Sequence, residues 1–213
     1  MPLYKKEVTE ESIWGIWKIE ETPSELLEAL QSKEEIAPQL KQYNTVKRQT
    51  EFLALRVLLQ ELGGDPCQVE YEPSGRPFLF DQSFQISFTH TRDYAAVYMH
   101  RTASVGIDME YPSSRIFKVR SKFMHPDEES ALDLSEEEKA LLLHWSAKET
   151  LFKAINEEEA DFKGHLHIRP FKVQPEGVIE AYETRTLEHH SFDVFYQVTD
   201  SFVLTRTILK EKE

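Results

Sequence analysis

The 213-residue chain carries 25 basic against 38 acidic side chains, a net charge of −13, with 40% hydrophobic and 11% aromatic residues. That balance describes a folded chain with a sizeable core and excludes a disordered one, while its acidity argues against a general nucleic-acid binder, which needs a basic footprint. No apolar run is long enough to span a bilayer, "MPLYKKEVTEES" has no apolar signal segment, and the lone Cys67 excludes an internal disulfide, so the chain reads as cytoplasmic.

Taken in order, residues Ile13 to Ile19 predict the first strand. "TPSE" follows as a helix start, with Thr22 as N-cap, Pro23 at the first helical position and Glu25 closing a capping box. A longer helix is predicted from about Thr45 to Leu62, stopped by Gly63-Gly64. "EPSGRPFLF" reads as a turn entering a strand, and "FQISFTHTRDYAAVYMH" as two strands joined around Arg92-Asp93. In "SVGIDMEYPSSR", Val105, Ile107 and Met109 alternate with Gly106, Asp108 and Glu110, the pattern of a half-buried strand. A short helix is expected from Pro126, and a long one from Ser135, where "SEEE" suggests another capping box, to about Ile155. Strands at Phe171 to Val173, Val178 to Tyr182, Phe192 to Val198 and Val203 to Leu209 complete the chain, with "QPEGV" as a hairpin connection between the first two. Strands and helices thus recur twice in similar order, without sequence repetition and without a linker.

Several charges sit where this scheme expects apolar surface. Asp108 and Glu110 leave one strand face with Cα atoms about 6.6 Å apart. They form either a solvated acidic strand end or a cation site, since like charges this close raise each other's pKa. On the long second helix Leu141, Trp145, Phe152 and Ile155 mark a stripe, and Lys148 falls on it, needing an anion or a route to water. Glu149 and Lys153, four apart, are an ordinary surface pair or part of a site. The first long helix carries Phe52, Leu55, Leu59 and Leu62 in a stripe that runs back to Arg48, with Lys47, Arg56 and Arg76 nearby. Bound polyphosphate or salt bridges to the many acids would each account for these cations. His90 lies at a strand end between Thr89 and Thr91, either as a structural imidazole or with the hydroxyls as a phosphate site. His165 and His167 share a strand face but lack a third zinc ligand. No Gly-rich phosphate loop and no Ser or Cys nucleophile constellation is apparent. Between Glu110 and Asp127 there is no acid, yet Arg115, Lys118, Arg120 and Lys122 occur, interleaved with Ile116, Phe117, Val119 and Phe123. That segment is a solvated basic loop or a docking surface for an acidic partner.

Together "VGIDME" (105–110) and "WSAKETLFK" (145–153) resemble the two signatures of the 4′-phosphopantetheinyl transferases, of the larger surfactin-synthetase-activating type. "KRQTEFLALR" (47–56), "SGRPFL" (74–79) and "SFTHT" (87–91) agree, the last with threonines where the family usually has serines. The resemblance implies an α+β fold of two similar lobes related by pseudo-twofold symmetry, residues 1–104 and 105–213, with coenzyme A and Mg²⁺ in the cleft between them. It implies transfer of the phosphopantetheine arm of coenzyme A to a serine of an acyl or peptidyl carrier protein, releasing 3′,5′-ADP. Asp108, Glu110 and Glu149 are then the metal ligands, and Glu149 also the base that takes the serine proton, directly or through water. Lys153 faces the pyrophosphate and takes part in catalysis, and Arg48, Arg56, Arg76, Thr89 and His90 hold coenzyme A. The carrier is expected to dock near Arg115, Phe117, Lys118 and Arg120, on a monomeric enzyme. Two other readings stand beside this one. A metal-dependent phosphohydrolase or nuclease would use the same carboxylates on water, and a non-catalytic module would bind coenzyme A or a carrier without chemistry.

Overall fold

A computed structural model describes residues 3–156 and 160–209, which fall into two units, Met1–Thr102 and Ala103–Glu213. Among the described residues every strand pairing is antiparallel, and helices and sheets alternate in an α+β arrangement.

The first unit runs β1 (Leu3–Val8), β2 (Ser12–Lys18), α1 (Pro23–Ala29), α2 (Lys33–Ile36), α3 (Val46–Glu61), β3 (Val69–Tyr71), β4 (Pro77–Leu79), β5 (Gln85–Thr91) and β6 (Tyr94–His100). Its main sheet has the order β1-β2-β6-β5, and β3 and β4 pair apart from it. The expected capping box forms at α1: the Thr22 hydroxyl accepts from Glu25 N while the Glu25 carboxylate accepts from Thr22 N. Thr45 caps α3, and the helix ends where Gly63 takes a left-handed φ of +94°, which a side chain would disfavour. Buried residues of α3 from Phe52 onward, with its C-cap Leu62, form one core with Trp17, Leu26, Ile36, Ile86, Val97 and Met99. The edge strand β1 and the short β3 are additions to the sequence-based scheme. "LYKKEV" is almost wholly exposed, so it has no buried face to impose an alternating pattern.

The second unit runs β7 (Val105–Glu110), α4 (Arg115–Val119), α5 (Pro126–Ser130), α6 (Glu137–Ile155), β8 (Leu166–Ile168), β9 (Glu176–Glu183), β10 (Ser191–Val198) and β11 (Val203–Ile208), with the sheet order β7-β11-β10-β9-β8. The helix α6 packs along β7 and β11, and its buried residues share a core with Ile179, Phe192, Val194 and Val203. Three expectations change here. The long helix begins at Glu137, and "SEEE" is no capping box, because Asp133 takes Ser135 N and Ser135 Oγ and holds Leu134–Glu136 as a 3-10 turn. The basic stretch after β7 is helical at α4 instead of a loop. Residues Phe171 to Val173 are not a strand: β8 pairs with β9 through Leu166↔Glu183, and Phe171 instead packs on the rings of His144 and Tyr196. Pro170, which has no N–H to give a ladder, stands where the pairing stops.

Among the described residues no helix is long and apolar enough to cross a membrane.

Candidate active site

The strand β7 is buried from Val105 to Met109, so its polar face meets protein and not water. The cause is Gly106. A Cβ at that position would lie 2.0 Å from the Thr150 carbonyl oxygen, so only glycine lets the α6 backbone rest on the strand. Small hydroxyl residues complete the seat: Ser146 Oγ and Thr150 Oγ1 lie 2.8 and 2.6 Å from Thr205 Oγ1, and Thr205 is the register partner of Asp108. Asp108 and Glu110 follow Gly106 on the same strand face by the period of two. They are therefore carried along α6, toward Lys153 and Trp145.

Lys153 Nζ donates to Asp108 Oδ1 at 2.8 Å and to the Ile107 carbonyl at 3.0 Å. Trp145 Nε1 donates to Glu110 Oε1 at 2.8 Å, while its ring packs on Phe123 and Phe162. The Glu149 carboxylate has no hydrogen-bond or ion-pair partner among the described residues. Burial, then the Asp108 charge, push the Glu110 carboxyl up to about 7, although Trp145 and Lys153 favour its ionised form. Burial and the charges of Asp108 and Glu110 likewise push Glu149 up to about 7, against Lys153. Glu110 and Glu149 thus resist ionisation first because they are buried and second because the Asp108 charge lies beside them, with Lys153 the one nearby cation that opposes this.

This donor set suits a hard divalent cation in kind and in charge, because Mg²⁺ prefers a few carboxylates completed by substrate oxygens. Its present arrangement is not a closed ligand shell. Among the described residues no three His, Cys, Asp or Glu side chains are gathered to hold a metal ion, and Asp108 is bonded to Lys153.

Lys148, one residue before Glu149, is fully buried and serves the fold. Its ammonium donates to Glu128 Oε2 at 2.8 Å and to the carbonyls of Phe123 and Phe162. Glu128 also accepts from His125 N, closing the α5 capping box, and from Ile168 N at the end of the edge strand β8. The anion that the sequence required for Lys148 therefore exists, twenty positions away on another helix. His165 and His167 are likewise structural: His165 Nδ1 accepts from Asp161 N, and His167 stacks on Tyr182.

In the first unit Arg48 is largely exposed and donates to Glu51 at 3.2 Å, and His90 Nδ1 lies 3.6 Å from the same carboxylate. Arg76 is half-buried with Nη2 3.5 Å from Gln85 Oε1, its pKa lowered by burial against the pull of Glu72. Thr89 and Thr91 are buried and, by the strand period, leave the face of β5 opposite to His90, so the three do not form one cluster. Arg56 is 1% exposed and stacks on Phe52, with Tyr71 and Phe88 close by; its Nε and Nη1 have no acceptor among the described residues. In this arrangement it offers no donor to solvent.

The sequence pattern did not single out Glu51, Trp145 as a donor, Glu128, or the hydroxyls of Ser146, Thr150 and Thr205. Only the four-residue spacing of Ser146 and Thr150 beside a helical apolar stripe hinted at a close helix–sheet contact.

In comparison with known proteins, residues 104–206 match the family model described as the 4′-phosphopantetheinyl transferase superfamily. The match spans most of the second unit and just under half of the chain. No curated protein matches the chain.

Proposed function

We propose that this protein is a Mg²⁺-dependent 4′-phosphopantetheinyl transferase of the larger, two-lobed type, moving the arm of coenzyme A onto a serine of an apo carrier protein. The observation that carries the reading is the cluster of Asp108, Glu110, Glu149 and Lys153, delivered by β7 and α6 within the matched domain.

Asp108, Glu110 and Glu149 would hold the metal, which when bound supplies positive charge for the pyrophosphate oxygens. The carrier serine Oγ attacks the β-phosphorus, its bond to phosphorus forms, and the bond to the departing 3′,5′-ADP breaks. Glu149 takes the serine proton, directly or through water. Lys153, one helical turn further, neutralises charge that gathers on the phosphate oxygens. Trp145 fixes the Glu110 carboxylate from its Oε1 side. Arg48, Arg76 and His90 hold the phosphates of coenzyme A, Arg56 supports them as a buried cation of α3, and Thr89, on the opposite face of β5, supports the strand from behind.

The carrier meets α4, where Arg115, Phe117 and Lys118 are exposed. Arg120 is engaged by Glu129 and Glu137, so its charge serves the packing of α4 on α5 and α6 more than an incoming partner.

Mass spectrometry of purified apo carriers incubated with coenzyme A and Mg²⁺ tests this. The expected result is a mass gain of one phosphopantetheine, lost with chelator, and 3′,5′-ADP released only when carrier is present. Nucleotide release without carrier would instead identify a hydrolase.

A further inference from the structure

Glu51, in the second turn of α3, is a buried carboxylate on which three basic side chains from two elements converge. Its Oε2 accepts from Arg48 Nη1 at 3.2 Å, and its Oε1 faces Lys47 Nζ at 3.7 Å and His90 Nδ1 at 3.6 Å. The side chains of Lys47 and Arg48 are 72% and 63% exposed. Among the described residues Glu51 is the one ion-pair partner of each. Beside them lies a cavity of about 310 Å³ lined by Ile19, Lys47, Thr50, Glu51, Arg92 and Asp93.

We infer that Glu51 is the positioning residue of the first unit's anion-binding side chains: it aims Arg48 and holds the Nδ1 edge of His90 without itself touching the ligand. The inference rests on the reading that Arg48 and His90 bind the phosphates of coenzyme A. The Glu51 carboxylate 3.6 Å from Nδ1 attracts a proton to that edge of the ring by its charge and so favours one ring orientation. Arg48 and Lys47, otherwise free to sweep through solvent, are ordered before the ligand arrives, so less freedom is lost on binding.

The sign of one substitution separates positioning from charge. Removing a negative charge beside an anion site tightens anion binding if Coulomb attraction alone matters. Positioning demands the opposite. Calorimetric titration of coenzyme A into the whole protein is expected to show Glu51→Gln weakening affinity about fivefold or more, on the scale of ordering one or two long side chains. In an Arg48→Ala background the same change should have a much smaller effect, because the two act as a unit. Glu51→Asp, which keeps the charge on a shorter arm, should also weaken binding, and it serves if Glu51→Gln does not fold. Long-range ¹H–¹⁵N spectra supply a readout that needs no ligand: the His90 proton resides on Nδ1 in the parent and redistributes toward Nε2 in Glu51→Gln. Coenzyme A affinity at or above the parent level, or an unmoved His90 ring spectrum, overturns the inference. A parent protein that fails to bind coenzyme A, yet shows the His90 change, removes the coenzyme A reading and leaves Glu51 as the positioning residue.

Discussion

Consider Glu149→Gln in the absence of any divalent ion. Folded Glu149 titrates at about 7 against an ordinary 4.5, chiefly because burial and the Asp108 charge oppose its ionisation. Between those two values the folded state binds more protons than the unfolded one. Stability therefore falls as pH rises through this window, and the loss is complete above about 7. The difference corresponds to about 3 kcal/mol at about 1.4 kcal/mol per pH unit, an upper figure because Glu110 shares the same burden. A neutral glutamine removes that cost at pH 8 and changes little at pH 4, where the carboxyl is already protonated in both states. For a chain of this size about 2–3 kcal/mol becomes a rise in melting temperature of about 5–10 °C. Differential scanning calorimetry in chelator at pH 4 and pH 8 measures it. Added Mg²⁺ should raise the pH 8 transition of the parent but not of the variant, whose gain in stability is accompanied by loss of transfer. An unchanged or lowered melting temperature for Glu149→Gln at pH 8 would refute the view that the three carboxylates are held together under mutual repulsion.

Gly106→Ala should cost at least about 4 kcal/mol, because the added Cβ meets the Thr150 carbonyl at 2.0 Å and backbone cannot yield as a side chain can; urea denaturation and soluble yield report it. Lys148→Met strands Glu128 in the core with only its two N–H donors, for a loss of about 3–5 kcal/mol in the same assay, and adding Glu128→Gln should restore part of it. Arg115→Glu with Lys118→Glu should raise the KM for an acidic carrier severalfold and flatten its dependence on ionic strength, leaving the KM for coenzyme A unmoved; steady-state kinetics across salt concentrations decide it.

What was legible in the sequence were features whose cause is local. Thr22 and Glu25 satisfy each other's backbone donors within one turn, and Thr45 and Gly63 bound α3 by the same short-range logic. The alternation around Arg92-Asp93 gave both strands of that hairpin, β5 and β6, because the pairing partner is adjacent in the chain. Features decided by distant partners were not legible. Lys148 was recognisable as a charge that needed an anion, but nothing near it pointed to Glu128. "SEEE" has every residue of a capping box, and Asp133 two positions earlier takes the donors first. The acidic strand end was legible as chemistry, while its burial was not: the alternation marks a half-buried strand and left a solvated end or a cation site open, whereas α6 covers the polar face too. Arg120 looked like its basic neighbours until Glu129 and Glu137 closed on it.

The contact at Gly106 has a consequence for how this domain can change over time. Where a helix is spaced from a sheet by interlocking side chains, each enlarged or trimmed residue shifts the helix a little, and anything mounted on both elements drifts with it. Here the spacing is set where main chain touches main chain, which no substitution elsewhere can thicken or thin. Apolar positions deeper in the unit, such as Leu151, Ile179 or Val194, are thereby free to exchange among residues of similar bulk while Asp108 and Glu149 keep their separation. The precision of the site is thus carried by a few small residues, and the rest of the core is left to vary.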